Sequence, residues 1–179
     1  MKVNLKAKTI GLRLVTLGDS EFIHNLRVDA RYNQYLSPVN GGLAQQEEWL
    51  TKYKEKEKKQ EEFYFIIYRL DTNLSIGTVR LYDFINKKMS FCWGSWILND
   101  KKTRYAALES ALLVYEFAFK KLGFQQSHFD VRKENNKVVE FHEKFGAQKI
   151  DEDDLDFFYI YTKSDYINYS KKFERFLNK

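Results

Sequence analysis

A strand, a basic turn, a long amphipathic helix and a second strand follow one another between residues 90 and 132, and a unit of that kind leaves few folds open. Ser90–Leu98 is the first strand, Asn99-Asp100-Lys101-Lys102-Thr103 the turn, and residues 104–122 the helix, closed by Gly123. Gln126–Arg132 is the second strand, and Lys133-Glu134-Asn135-Asn136 leads into a short helix ending at Phe145-Gly146. A helix between two strands is long enough to bring the chain back parallel beside the strand it left, with the helix lying on one face of the sheet.

The flanking segments extend that sheet. Residues 10–15 read as a strand with Leu12 and Leu14 on one face, and Asp19 or Ser20 caps a helix whose apolar stripe is Phe22, Ile23 and Leu26. Residues 29–38 form a loop rich in hydrogen-bonding side chains. Gly41-Gly42 breaks the chain, and residues 43–59 return to helical spacing through Leu43, Gln46, Leu50 and Tyr53, with Trp49 nearby. The alternating charges of residues 54–62 read as a solvated helix end. Residues 63–70 and 75–81 are hairpin partners around Asp71-Thr72-Asn73, and Asn86-Lys87-Lys88 turns the chain into the Ser90 strand. After Gly146 a strand starts at Lys149, residues 151–154 turn, residues 157–162 form a last strand, and Ser164 or Asp165 caps a helix reaching Phe176. The expected class is therefore α/β (mixed α+β), with about seven strands in a mixed, mostly antiparallel sheet and helices on both faces. No linker or repeat divides residues 1–179, which read as a single domain.

The charge sum of +5 suits an anionic ligand and is far from the dense positive field of a nucleic-acid binder. Cys92 is the single cysteine, so no internal disulfide forms, and a reducing cytoplasmic setting is expected. The N-terminal Met1-Lys2-Val3-Asn4-Leu5-Lys6 has no signal-like apolar run, and no stretch of about 18 apolar residues implies a membrane span. His24, His128 and His142 are scattered, and residues 151–154 lack the spacing of a calcium loop, so no metal is expected.

Local chemistry points to the turn after the Ser90 strand. The first amides of a helix have no internal partner and favour negative charge, and here Lys101, Lys102 and Arg104 surround them, with Thr103 as the expected N-cap. An ordinary capped helix with exposed lysines fits the same residues. His142 shares a helical face with Val138 and Phe145, which suits either a packed core histidine or a proton donor with a pKa near neutrality. Cys92 is read as a buried strand residue, since no base is visible beside it. Trp93 and Trp96 are core residues or walls of an acceptor pocket. Arg27, Arg31, Tyr32 and Asn33 are a polar acceptor-binding group or a polar surface loop.

The order of elements and two motifs resemble the GNAT superfamily of acyl-CoA-dependent N-acetyltransferases over nearly the whole chain. The family's phosphate loop falls on Lys101-Lys102-Thr103-Arg104-Tyr105-Ala106, where Arg104 replaces a glycine and Ala106 fits well. The second motif, an asparagine followed by a short helix ending in glycine, falls on residues 135–147, with His142 where tyrosine is common. That histidine, with Arg27-Val28-Asp29 and Tyr35-Leu36-Ser37, resembles the RimJ/RimL-like and amino-sugar branch. The resemblance implies direct acetyl transfer from acetyl-CoA to a primary amine, most of all that of an amino sugar or nucleotide-linked amino sugar. It implies that Trp96, Ile97 and Leu98 offer backbone groups to the coenzyme, that residues 101–106 hold its pyrophosphate, and that Asn135 meets its arm. His142 is then the acid for the departing thiolate, Asp83 the first candidate for the base with Glu109 behind it, and Arg27, Arg31, Tyr32, Asn33 and Trp93 the acceptor side. The alternatives are a protein N-terminal acetyltransferase of the ribosomal-protein type and a non-catalytic acyl-CoA-binding module of the same fold. The expected partner is a small-molecule amine, with no nucleic acid and no membrane, and the chain is expected to be a monomer or a homodimer.

Overall fold

The computed structural model describes residues 3–38 and 41–177; the first two residues of the N-terminal stretch discussed above lie outside it. The strands are β1 (Asn4–Lys6), β2 (Ile10–Leu14), β3 (Phe63–Arg69), β4 (Ser75–Ile85), β5 (Ser90–Leu98), β6 (Gln126–Arg132), β7 (Gln148–Glu152) and β8 (Asp156–Thr162). The helices are α1 (Ser20–Val28), α2 (Leu43–Lys58), α3 (Ala106–Glu116), α4 (Asn136–Phe145) and α5 (Lys163–Ser170). All eight strands join one sheet in the order β1-β2-β3-β4-β5-β6-β8-β7, one more strand than expected because Asn4–Lys6 pairs antiparallel with β2. Among the described residues the parallel pairing is that of β5 with β6.

Alternation along β3 shows why the sheet has helices on both sides. Phe63, Phe65 and Ile67 join the large core with α3, while Tyr64 and Ile66 face the smaller cluster of Val15, Ile23, Leu50 and Tyr53 under α1 and α2. Successive side chains point to opposite faces, so one nearly continuous apolar run fills two cores. Tyr53 closes the smaller core by accepting the Tyr64 amide at 2.6 Å. The larger core is mostly aromatic, with Tyr115 of α3 fully buried against Phe119 and Tyr161.

Several local expectations change. Tyr105 occupies the N-cap of α3, and Thr103 is drawn away: its hydroxyl lies 2.7 Å from that of Thr9. The helix begins at Ala106, and its last turn, Phe117–Lys121, widens into a π-helix before Gly123 at φ +81°. Thr162, and neither Ser164 nor Asp165, is the N-cap of α5; it accepts the Asp165 amide while Asp165 accepts its hydroxyl. The N-cap of α1 is Asp19, whose carboxylate accepts from Arg13, the Thr16 amide and the Thr16 hydroxyl. Glu109 is buried and ties α3 to β2, its Oε2 accepting the amides of Thr9 and Ile10 and the Thr9 hydroxyl. These hydrogen bonds give it a structural task at the start of β2.

Candidate active site

The site begins with a fault in the β4–β5 ladder. Thr78 pairs with Ile97 and Arg80 with Gly94, so Ser95 and Trp96 together face the single residue Val79. This β-bulge holds Ser95 at φ +47°, and the buried Thr78 hydroxyl donates to its carbonyl at 3.0 Å. A bulge bends its strand and increases the local twist. On the other side of β5 the ladder with β6 stops after two pairs, Ser90 with Gln126 and Phe91 with Ser127. β5 and β6 therefore touch at one end and part toward Leu98 and Arg132, leaving a wedge in the sheet.

The bulge also changes which face each tryptophan uses. In a regular strand Trp93 and Trp96 point to opposite sides. The extra residue puts both on the α3 side, with ring centroids 5.2 Å apart; Trp93 Nε1 donates to Tyr115 Oη and Trp96 Nε1 to Ser110 Oγ, each at 3.0 Å. They meet His142 of α4 and Phe129 of β6 at the wedge, where a cavity of about 140 Å³ is lined by Trp93, Gly94, Trp96, Phe129, Asp130 and His142. Asn135 and Asp156 also face this space, and Tyr35 and Leu36 of the α1–α2 connection border it.

His142 is buried among rings, its centroid 4.3 Å from Phe129, 5.3 Å from Trp93 and 6.4 Å from Trp96 and Tyr159. Its nitrogens have no hydrogen-bond partner among the described residues, and burial pushes the imidazole pKa down to about 3. The ring is thus neutral at ordinary pH, where the sequence led us to expect a pKa near neutrality. Asp130, not among the expected site residues, differs in kind. Its side chain is accessible at the cavity wall, and desolvation, followed by the neighbouring Asp156 carboxylate, raises its pKa above the usual carboxylate value. Its signal was present in β6: between the buried Phe129 and Val131, a charged residue at that position must face the opposite side of the sheet.

The remaining expected residues are distributed around the wedge. Trp93, Trp96, Asn135 and His142 converge on the cavity, whereas Asp83 lies at φ +51° near the far end of β4 and bonds His128 Nε2 at 3.1 Å. Ile97 is buried in the β4 ladder, and Leu98 pairs with Gly77. Lys101, Lys102, Arg104 and Tyr105 are exposed beyond the end of β5, Thr103 is half-buried, and Ala106 is buried at the start of α3. Arg69 Nη1 donates to the Lys101 carbonyl, and the Arg104 guanidinium lies 5.3 Å from the centroid of the Tyr105 ring. Arg27 donates to the Ser37 carbonyl, Arg31 pairs with Asp29 and Asp100, and Asn33 takes part in turn hydrogen bonds through its backbone. Tyr32 Oη accepts the Asp100 amide on the β5 side, while Tyr35 Oη donates to the Glu134 carbonyl on the β6 side. Residues 32–35 thus link the two lips of the wedge. Cys92 is buried and its thiol is pushed up to about 12, which removes it as a nucleophile.

Parted strands, a bulge that frees backbone from the ladder, and three exposed cations beyond the strand end fit a long anionic coenzyme. A family model for the acetyltransferase (GNAT) domain matches residues 9–148. The chain belongs to the GNAT family. Among solved structures, apo FdhC, described as a nucleotide-linked sugar GNAT, is 54% identical with a TM-score of 0.93, over 99% of this chain and 100% of that one. The "probable N-acetyltransferase YjcK" of Bacillus subtilis is 26% identical over 81% of this chain and 83% of its own. The "SPbeta prophage-derived uncharacterized N-acetyltransferase YokL" of the same organism is 28% identical over 57% of this chain, and the match spans only 55% of its length. This GNAT protein is an acyl-CoA-dependent N-acetyltransferase, with acetyl-CoA as co-substrate. Among its described residues no helix is long and apolar enough to cross a membrane, and no cluster of three metal-ligating side chains occurs.

Proposed function

We propose that this acetyltransferase acts on the amine of a nucleotide-linked amino sugar. The observation that carries the reading is the 54% identity, over essentially the full chain, to a nucleotide-linked sugar GNAT. The cavity adds support. Tyr35 and Leu36 border it, and Tyr32 and Tyr35 are hydrogen-bonded to the two lips of the wedge, which suits a compact polar acceptor better than an extended peptide. An open groove beside residues 32–37 would favour the protein N-terminal substrate.

Acetyl-CoA supplies an activated thioester. In the proposed arrangement Trp96, Ile97 and Leu98 offer backbone groups to the pantetheine arm, and an amide of the bulged strand stabilises negative charge on the carbonyl oxygen as the amine adds. Lys101, Lys102 and Arg104 hold the pyrophosphate at the start of α3, and Asn135 meets the arm from the other side of the wedge. Asp130 is the base: its accessible, raised carboxyl is closer to the working range than an ordinary aspartate and faces the cavity. The new N–C bond forms as the C–S bond breaks; Asp130 accepts the proton the amine loses, and the thiolate leaves as the anion or takes a proton from water. His142, neutral, orients the acyl group by an N–H hydrogen bond and excludes water together with Trp93 and Trp96. Asp83, held by His128, is left outside the chemistry in this scheme.

The test is CoA release with acetyl-CoA and a panel of nucleotide-linked amino sugars, free amino sugars, polyamines and peptides with free N-termini. Turnover confined to the nucleotide-linked sugars is expected. Equal or better turnover of peptides or polyamines would overturn the acceptor assignment.

A further inference from the structure

A second recess lies on the other side of β4 from the wedge, and we infer that it receives the nucleoside diphosphate of the acceptor. This inference rests on the acceptor class proposed above and assigns a place to the part of the substrate that does not react. The recess, of about 210 Å³, is lined by Trp49, Lys52, Tyr53 and Lys56 of α2 with Glu62 and Arg80.

Its position suits a substrate whose amine sits at Asp130. Arg80 is the cross-strand partner of Gly94, and Gly94 lines the wedge cavity. Tyr82 pairs with Cys92 on the same face, and a Cβ at Gly94 would come within 2.9 Å of Tyr82 Oη, so the missing side chain leaves room for that ring across the strand. Arg80 and Asp130 both lie within electrostatic reach of Cys92. One continuous face thus runs from Asp130 past Tyr82 to Arg80 and on to α2, the direction a diphosphate would take from a sugar held at the wedge.

The chemistry suits a diphosphate followed by a base. The Arg80 guanidinium lies between two rings, 5.1 Å from Trp49 and 4.9 Å from Tyr82. Its Nε and Nη2 donate to the buried Glu62 at 3.2 and 2.6 Å, which fixes the plane and leaves Nη1 without a hydrogen-bond partner among the described residues. A planar, oriented guanidinium with spare donors is well matched to phosphate oxygens. Lys52 and Lys56 stand one helical turn apart on the same face of α2. Lys52 is bonded to the exposed Glu48, a partnership that an incoming phosphate can replace at little cost, and Lys56 reaches the buried Glu62 with an exposed ammonium group. Trp49, half-buried and stacked on Tyr53 at 5.8 Å and 6°, is a rigid ring beside these cations on which a base can stack.

Coenzyme A carries a nucleoside diphosphate of its own, so binding is measured on enzyme saturated with CoA. Calorimetric titration with uridine diphosphate and thymidine diphosphate is compared for the wild type, K52E/K56E and W49L, and the KM for a nucleotide-linked amino sugar is measured in parallel. Lys52 and Lys56 are exposed, but Lys56 bonds the buried Glu62, so circular dichroism checks the fold of both variants. The expected result is nucleoside diphosphate affinity reduced at least tenfold in K52E/K56E and in W49L, with acceptor KM raised to match and the KM for acetyl-CoA unchanged. If nucleotide-linked sugars turn over and both variants keep wild-type KM and affinity, the subsite is overturned and the acceptor class stands. If no nucleotide-linked sugar turns over, the acceptor class fails; nucleoside diphosphate binding lost in both variants then still supports the recess, and absent or unaltered binding overturns it too.

Discussion

Thr78 Oγ1 donates a 3.0 Å hydrogen bond to the carbonyl of Ser95, so a buried residue of β4 holds the bulged, left-handed residue that turns β5 away from β6. The wedge, and with it the place for the coenzyme, depends on that turn. Thr78→Val keeps shape and removes the donor. Loss of about 1–3 kcal/mol is expected in urea unfolding, because a partly buried carbonyl is left unpaired. The KM for acetyl-CoA should rise as the bulge relaxes. A variant with wild-type stability and KM would show that the strands part for another reason.

His142 makes stability depend on pH. Its folded pKa is depressed from 6.5 to about 3, so between those values the unfolded chain binds a proton that the folded chain refuses. Stability is therefore fully present above the unfolded value and falls as pH drops, by up to about 1.4 kcal/mol per unit. From pH 7 to pH 5 the wild type should lose about 2 kcal/mol more than His142→Phe, which cannot take the proton. Parallel pH dependence of the two proteins would mean that the ring is not desolvated as described.

Asp130→Asn should lower kcat/KM for the amine about 100-fold or more, with little effect on acetyl-CoA binding. The raised carboxyl pKa sets the direction of the pH effect: wild-type activity climbs with pH as Asp130 loses its proton, through a value above that of an ordinary aspartate. The variant should lack that limb. Asp83→Asn, with its carboxylate on His128 outside the cavity, should keep both rate and profile. The reverse pattern would return the base to Asp83.

Lys101 and Lys102 are exposed beyond β5, where the coenzyme pyrophosphate is proposed to rest. Replacing both with alanine should weaken acetyl-CoA binding several-fold at low ionic strength, and the difference should shrink as salt is added, because exposed charges are screened. Unaltered binding at every salt concentration would place the phosphates elsewhere.

Thermal stabilisation by acetyl-CoA gives an independent reading of the coenzyme site. At about 100 times its dissociation constant the ligand should add about 2.7 kcal/mol to unfolding. Absence of any shift in the melting temperature would contradict the wedge as a coenzyme site.

Much of this architecture was legible in the residues themselves. The run Phe63–Arg69 could be assigned as a strand by composition, and the crossover of residues 90–132 by its change from strand to helical spacing. Asp130 stood in plain alternation between Phe129 and Val131, yet its raised carboxyl depends on Asp156, brought alongside by the pairing of β6 with β8. Thr103 carried the chemistry of an N-cap, but Thr9, from a distant part of the chain, drew its hydroxyl away.

The sequence alone determined the order of strands and helices from β2 onward, the two-sided sheet and the basic turn before α3, because periodicity and turn chemistry act between near neighbours in the chain. Only the tertiary structure decided where β5 and β6 part, that Trp93 and Trp96 share a face, and that His142 is neutral. A bulge exists as a mismatch between two strands, and a pKa follows the burial that several elements impose together, so neither belongs to any one segment.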